Sequence, residues 1–381
     1  MALTRHVLTL FSLFALYAIF YFSEINGLNR LSLSAVDAGV LPGTDNVPLR
    51  TVYTGIKPLD QLLTVLGTFF WPVVDGQNIT LTLHSISFSG AFGAAWMLVV
   101  LEAWRDGNSR TIAAFPAVFG LTAQIMTYAF ATPLYCGFQL ANSITAQKPT
   151  AANIRISRPV LHCIPLAFII GYMIPSALML VAPVSTDTKQ ILIASWQPWP
   201  AYVSILVTIV DILFSPRRKV EPGRATLRAL RRVYAFAFAT TALPHIVSWT
   251  VSLASVRVPF LFNEKYLDAL HPREVFKIAF PWSKPTLQVD SVAAGVHVFL
   301  RWDFLIGSLG VLLWAMTLNA VAHREILGKV GWLSLFVKTG LLVVLTGPVG
   351  TAVELMWERD ELVIQEAMAL KRLAQGNKRT R

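Results

Sequence analysis

Charge is scarce in this sequence. Only 14% of its 381 residues are charged, whereas a soluble domain typically has about 25%. With 55% hydrophobic residues and a mean hydropathy of +0.57, the chain has too little polar surface to cover a globule in water. Several apolar runs reach the roughly 17–25 residues that a helix needs to cross a bilayer. Because backbone groups in lipid must be hydrogen-bonded internally, the sequence predicts an all-α polytopic transmembrane helix bundle.

Cysteine and the common catalytic motifs are also scarce or absent. The chain has two cysteines, Cys136 and Cys163, which lie in or beside apolar runs. Their spacing is not that of a metal site, and two cysteines do not make the disulfide framework of a small secreted domain. The sequence has no HExxH, GxSxG or phosphate-binding P-loop motif and no di-iron spacing of Glu and His. No metal or other cofactor is therefore indicated. Chemistry, if present, is expected to use carboxylates, a histidine and aromatic walls.

Acidic residues are fewer than basic ones, 21 against 32, which gives a net charge of +11. Much of the excess lies in one loop between two apolar runs. An excess of Lys and Arg in such a loop marks it as cytoplasmic. A nucleic-acid partner is not indicated, because binding nucleic acid would need the positive charge on a soluble basic face with exposed aromatic residues. The basic residues of this arginine loop are Arg217, Arg218, Lys219, Arg224, Arg228, Arg231 and Arg232.

The apolar runs predict roughly eight to nine spans. Residues 1–58 are interpreted as a first span with a polar lumenal segment, 59–356 as the transmembrane bundle, and 357–381 as a charged tail. With the arginine loop cytoplasmic, the N-terminus is expected on the cytoplasmic side and the tail on the lumenal side. The candidate spans are Val7–Phe22, Leu59–Val74, Leu81–Leu101, Ile112–Ala131, Val160–Val181, Ile193–Phe214, Val233–Ala254, Phe304–Val321 and Leu333–Leu355.

Ionisable residues inside or beside these spans are candidates for function, because a charge at membrane depth is costly unless it is paired or solvated. Asp75, Glu102 and Asp303 are the candidate general acids. His245 is the candidate proton acceptor or orienting group. Structural roles compete with these: Asp75 and Glu102 lie at span ends, and His245 could be an ordinary interhelical hydrogen-bonding residue.

The residue inventory suits acid-initiated reactions of apolar substrates. A carboxylic acid in an apolar pocket has a raised pKa and can remain protonated near neutral pH. It could then protonate an epoxide oxygen or an olefin. Aromatic faces can stabilise the resulting cation, and Trp71 and Trp302 are the candidate walls. Arg301 is a candidate substrate-binding residue, although pairing with Asp303 would make that carboxyl a poorer acid.

Several local strings, taken as an ordered set from Tyr53 to Glu354, resemble the fungal membrane-bound terpene cyclases of ascofuranone-type meroterpenoid pathways. These strings are Tyr53-Thr54-Gly55-Ile56, Pro58-Leu59-Asp60, Phe70-Trp71-Pro72-Val73-Val74-Asp75-Gly76, Glu102-Ala103-Trp104-Arg105, Gly107-Asn108, Pro133-Leu134-Tyr135, Leu261-Phe262-Asn263, Leu270-His271-Pro272 and Phe299-Leu300-Arg301-Trp302-Asp303.

The resemblance implies an endoplasmic-reticulum enzyme of fungal secondary metabolism. Such an enzyme would cyclise a prenylated aromatic (meroterpenoid) or polyketide intermediate by protonating its epoxide or olefin. Its partners would be a hydrophobic small-molecule substrate, membrane lipid and other enzymes of the same pathway. A membrane epoxide hydrolase acting on a polyene epoxide is one alternative. A small-molecule transporter or a non-catalytic membrane partner is another, although no internal repeat typical of transporters is seen.

Overall fold

The computed structural model describes residues 1–181, 184–215 and 222–379, and this part of the chain is helical with no strand. Arg217, Arg218 and Lys219 of the arginine loop lie outside the described residues. The helices of at least ten residues are α1 (Ala2–Ile25), α2 (Leu28–Ala38), α3 (Lys57–Val74), α4 (Ile79–Ala103), α5 (Pro116–Met126), α6 (Tyr128–Asn142), α7 (Arg158–Leu180), α8 (Thr186–Trp196), α9 (Trp199–Phe214), α10 (Arg224–Arg257), α11 (Val292–Leu327), α12 (332–346) and α13 (348–379).

Within the described residues, six helical segments are long and apolar enough to cross a membrane, or seven if the bent pair α8–α9 counts as one span. The two halves of that pair meet at 55° beside Pro198, where the proline removes a backbone donor. The all-α prediction is confirmed, whereas the count of eight to nine spans is not. Three predicted spans, described below, do not run straight through the bundle, and one of them, 333–355, lies within the bent segment 332–375 that is counted among the six.

The crossing helices fix the two ends of the bundle. We call the end where α9 stops and α10 starts the basic end, and the other the opposite end. Helix α1 runs antiparallel to α11: Thr4 contacts Thr317 near the basic end, and the Val289 N–H donates to the Asn26 carbonyl at the opposite end. Both termini of α1 are thereby placed, and the N-terminus lies at the basic end.

Helix α3 does not cross the bundle. The Gln190 side chain accepts a hydrogen bond from the Arg50 N–H, and the Arg50 carbonyl accepts one from Thr64 on α3. Lys189 on the same turn of α8 donates to the carbonyl of Val74, the last residue of α3. Both halves of α3 are therefore tied to the start of α8, at the opposite end. The prediction of a span at Leu59–Val74 is wrong: the segment is a helix, but it lies across the end of the bundle.

The predicted span Ile112–Ala131 is instead part of a helical hairpin. The Tyr135 hydroxyl donates to the carbonyl of Ala113, and the rings of Phe119 and Tyr135 lie 5.2 Å apart. Residues 113 and 135 would be about 33 Å apart in one continuous helix. The chain reverses at Thr127, so α5 and α6 both have their outer ends at the basic end and their shared tip inside the bundle.

A second hairpin replaces the predicted span Leu333–Leu355. Lys338 on α12 lies 3.0 Å from Glu358 on α13, although a continuous helix would separate them by about 30 Å. The reversal occurs at Gly347, whose φ of +77° is in the region that favours glycine, followed by Pro348. The first turns of the charged tail are buried, since Arg359 and Asp360 are at most 1% exposed.

Because α12 and α13 form a hairpin, the tail returns to the basic end. Glu358 lies beside Asn319 and His323 in the last turns of α11. The prediction that the tail lies across the membrane from the N-terminus is therefore wrong. Both termini share the side of the arginine loop, which the positive-inside rule predicts to be cytoplasmic.

Candidate active site

Two adjoining cavities lie between α3, α4, α8 and α11. The first has a volume of about 220 Å³ and the second of about 180 Å³. Together they reach the range of about 300–1,000 Å³ that is typical of small-molecule sites. The residues that line both are Phe70, Phe88, Phe92, Trp196 and Leu300.

Aromatic rings make up most of the shared wall. Phe69 contacts Phe299 edge-on at 4.7 Å, and Phe70 contacts Trp196 at 5.4 Å. Phe92 on α4 lies 5.1 Å from Tyr128 at the tip of the α5–α6 hairpin. Each ring is fixed by a neighbour, so the π faces that border the cavities are held in place before a ligand binds.

Asp303 lies at one end of the first cavity and is 5% exposed. Apart from tyrosine phenols, it is the only acidic or basic side chain among the residues that line either cavity. Its Oδ1 accepts a 2.6 Å hydrogen bond from the backbone N–H of Ala129. A single carboxyl therefore faces a space whose other lining residues are uncharged and mostly apolar or aromatic.

The hairpin tip brings this backbone donor to Asp303. Thr127 caps α6 through its hydroxyl, which accepts from the Phe130 N–H, and its φ of +82° and ψ of +155° lie in a region that costs a non-glycine residue about 1–3 kcal/mol. The strained turn directs the N-terminus of α6 at the carboxyl. The partial positive charge of a helix N-terminus stabilises a nearby anion.

Some polar side chains that line the cavities lack a protein partner, among them those of Gln124 and Ser85. Among the described residues, the Nε2 of Gln124 and the Oγ of Ser85 are buried atoms without a hydrogen-bond partner. Gln124 lines the first cavity, one turn before the hairpin tip, and Ser85 lines the second. A buried donor without an acceptor is costly, so both positions favour a ligand that carries oxygen.

Arg301 does not pair with Asp303. Its guanidinium donates to the carbonyls of Val275 and Lys277 and to the His297 ring. Residues two apart on a helix face different directions, and here Arg301 faces the segment before α11 while Asp303 faces the cavity. The alternative in which Arg301 pairs with Asp303 and weakens it as an acid is therefore not seen.

The two predicted tryptophan walls lie outside the cavity linings. Trp302 donates its indole N–H to the carbonyl of Ala279 and packs edge-on against Phe14 at 5.6 Å. Like Arg301, it therefore attaches the segment before α11 to the bundle. Trp71 is buried at 5% exposure on α3, one residue from the lining residue Phe70.

Glu102 lies in a buried ion cluster at the basic end of α4. Its carboxylate accepts hydrogen bonds from Arg105 and from Arg359, the latter at 2.6 Å, and also from Gln139 and Thr145. Glu102, Arg105 and Arg359 are each at most 1% exposed. A carboxylate with two guanidinium partners has no proton to donate, and the cluster joins α4 to α13 far along α4 from the cavities.

Asp75 and His245 also lie away from Asp303. Asp75 ends α3 and accepts from the Gln77 N–H; partial burial raises the pKa of its carboxyl, against the opposing effects of that hydrogen bond and of Lys189. His245 on α10 contacts the carbonyl of Val344 at 3.2 Å, beside the turn at Gly347. Neither residue lines the two cavities.

The sequence reasoning did not identify the hairpin tip or Gln124 as part of the site. One signal was available: Gly307 and Gly310 follow Asp303 at helical spacing. A Cβ on Gly307 would lie 2.3 Å from the Tyr128 ring, and one on Gly310 2.7 Å from Pro133. These glycines allow α6 to approach α11, which places the tip of the hairpin against Asp303.

The fold and this site define a helical protein with aromatic cavities, and Asp303 is the one carboxyl among the described residues that line them. The chain belongs to the CtvD domain family, whose model matches residues 4–364. It is 33% identical to "Terpene cyclase ctvD" of Aspergillus terreus over 369 residues, which cover 95% of this chain and 100% of the relative.

Two further relatives carry the same kind of name. "Terpene cyclase penA" of Penicillium crustosum is 29% identical over 345 residues, 89% of this chain and 90% of its own length. "Terpene cyclase ascI" of Acremonium egyptiacum is 28% identical over 355 residues, 90% of this chain and 88% of its own length. No solved structure matches the chain.

Proposed function

We propose that this protein is an integral-membrane cyclase of fungal secondary metabolism. It protonates an epoxide or olefin of a prenylated aromatic or polyketide intermediate and thereby starts ring formation. The observation that carries the proposal is the position of Asp303, the one carboxyl among the described residues that line the two aromatic cavities. The names of the relatives support the same class of reaction.

In the proposed reaction, Asp303 enters as the neutral carboxylic acid, because burying an unpaired carboxylate in an apolar cavity costs free energy. It transfers its proton to the epoxide oxygen, and a carbon–oxygen bond of the epoxide breaks to leave a hydroxyl and a carbocation. An internal double bond attacks the cation and forms the ring. Loss of a proton, or attack by an internal hydroxyl, ends the reaction, and the carboxylate then regains a proton.

Several groups of the chain are positioned to lower the barriers of these steps. The carboxylate left after proton transfer keeps its hydrogen bond from the Ala129 N–H and lies at the positive end of α6. The faces of Phe88, Phe92 and Trp196 can stabilise the positive charge as it moves along the substrate. The mostly apolar walls also disfavour water beside the cation.

The test uses microsomes that contain the protein, incubated with epoxidised prenyl-phenols and polyene epoxides and analysed by mass spectrometry. We expect a product of unchanged mass, which indicates cyclisation; a gain of one water would instead assign the protein as an epoxide hydrolase. Asp303→Asn should lower turnover by about 10²–10⁴-fold, the usual contribution of a general acid. Asp75 is the competing candidate for the general acid. If Asp75→Asn lost turnover while Asp303→Asn kept it, the proposal would be overturned.

The cellular setting belongs to the same proposal. Helices that can cross a membrane and a hydrophobic substrate are consistent with the endoplasmic reticulum, where other enzymes of the pathway would supply the epoxide. Co-localisation of a fluorescent fusion with a reticulum marker tests this placement independently of turnover.

A further inference from the structure

A groove of about 830 Å³ lies at the basic end, between the first turns of α10 and the outer part of α13. Arg224, Arg228 and Arg231 recur at helical spacing on α10 and line one side. Arg372 on α13 lines the other. The groove lies far from Asp303, and the proposed reaction does not use it.

The charges of the groove are only partly neutralised. Arg231 forms a two-pronged ion pair with Glu361 at 2.7 and 3.0 Å. Glu361 is held in turn by the Trp357 indole N–H. Within the described residues, Arg224, Arg228 and Arg372 form no ion pair, and Glu366 is the only acidic side chain in the lining. The groove therefore carries an excess of positive charge on a fixed frame.

The floor of the groove is apolar. Leu227, Leu362, Met368 and Ala369 lie between the arginines. Directly after the arginines, α10 continues into the apolar stretch from Val233 that can cross a membrane. A bilayer crossed by this stretch would have its phosphate headgroups and upper acyl chains at the level of the groove. A free inorganic anion would need the arginines but would gain nothing from an apolar floor.

We propose that this groove binds the headgroup of an anionic phospholipid in the leaflet on the side of the arginine loop. The lipid phosphate would lie between Arg224, Arg228 and Arg372, since guanidinium groups hydrogen-bond phosphate oxygens in pairs. Its glycerol and upper acyl carbons would contact Leu227 and Met368. Juxtamembrane Lys and Arg clusters bind anionic lipids by the same electrostatics.

The experiment measures lipid binding to the full-length protein in detergent by native mass spectrometry, with phosphatidylinositol and phosphatidylcholine as probes. We expect retention of phosphatidylinositol at least about tenfold above phosphatidylcholine. The triple variant Arg224→Gln, Arg228→Gln, Arg372→Gln should lose that preference. The control triple Arg110→Gln, Lys148→Gln, Lys329→Gln removes three exposed cations from the same end outside the groove, and it should keep the preference.

Two further arms separate a lipid site from a site for free anions. Inorganic phosphate at millimolar concentration should not displace phosphatidylinositol, and Leu227→Asn should weaken lipid retention. If phosphate displaced phosphatidylinositol and Leu227→Asn retained lipid as well as the unmodified protein does, the groove would be a site for free anions and the lipid assignment would be overturned. Equal loss of preference in the two triple variants would show a non-specific charge effect and overturn the groove altogether.

Discussion

The Oδ1 of Asp303 accepts a hydrogen bond from the backbone N–H of Ala129, 2.6 Å away and 174 residues earlier in the chain. The contact joins the first third of α11 to the tip of a hairpin formed by two short helices. It gives the one carboxyl in the aromatic cavities a fixed orientation and a donor for its ionised form.

The hairpin tip stores backbone strain at Thr127. We expect Thr127→Gly to stabilise the protein by about 1 kcal/mol, because glycine adopts a φ of +82° without steric cost. Thr127→Val should destabilise it by about 1–2 kcal/mol, since valine keeps the strain and loses the cap. Thermal unfolding in detergent, followed by tryptophan fluorescence, measures both. A less stable glycine variant would show that the cap outweighs the strain.

Gln124 is expected to bind an oxygen atom of the substrate through its unpartnered Nε2. Gln124→Leu should raise KM by about 3–10-fold, the value of one hydrogen bond, and change kcat little. The comparison is Gln147→Leu, an exposed glutamine outside both cavities. Steady-state kinetics in microsomes separate the two constants. An unchanged KM together with a large fall in kcat would assign Gln124 to the chemical step instead.

The buried cluster around Glu102 is expected to stabilise the fold. Glu102→Gln leaves Arg105 and Arg359 without their shared carboxylate, and breaking a buried ion pair costs about 3–5 kcal/mol. Glu361→Gln removes one side of the more exposed pair with Arg231, where the expected cost is below about 1 kcal/mol. Melting temperatures in one detergent compare the two variants. If the Glu102→Gln protein had normal stability but no turnover, Glu102 would act in the reaction and would again be a candidate for the general acid.

The turn between α12 and α13 depends on glycine at position 347. A Cβ there would lie 3.0 Å from His245 Nδ1, on a backbone with φ of +77°, so Gly347→Ala should destabilise the protein by about 1–3 kcal/mol. Gly340→Ala in α12 meets nothing within 4 Å and should stabilise it by about 0.5–1 kcal/mol. Chemical unfolding measures both changes. Similar effects at the two glycines would contradict the hairpin.

Both termini are predicted to lie on one side of the membrane. Cysteines introduced at the exposed positions Lys148 and Leu373, at the basic end, should react alike with a membrane-impermeant maleimide in sealed microsomes. A cysteine at Lys265, at the opposite end, should show the reverse accessibility. The native Cys136 and Cys163 are free and buried and should give little background. Opposite labelling at 148 and 373 would restore the sequence-based topology, in which the tail crosses the bundle.

Hydropathy predicted the helical class correctly, yet three segments that it assigned as single straight spans do not run straight through the bundle. Residues 112–131 and 333–355 are apolar enough for lipid, but Thr127 and Gly347 reverse the chain inside them. The average hydropathy of a segment indicates whether it is buried in lipid or protein. It does not indicate whether the chain reverses within that segment. Positive φ at one residue decides the direction, and Thr127 gives no compositional sign of it.

The sequence by itself determined that this is a membrane-type helix bundle and that Asp303 is one of three carboxyls worth considering, because composition and spacing set which groups must be buried. Only the tertiary structure separated those carboxyls. Glu102 meets two guanidinium groups, Asp75 ends a helix outside the cavities, and Asp303 faces aromatic rings. The partners of a buried charge come from helices distant in sequence, so their identity depends on how the helices pack.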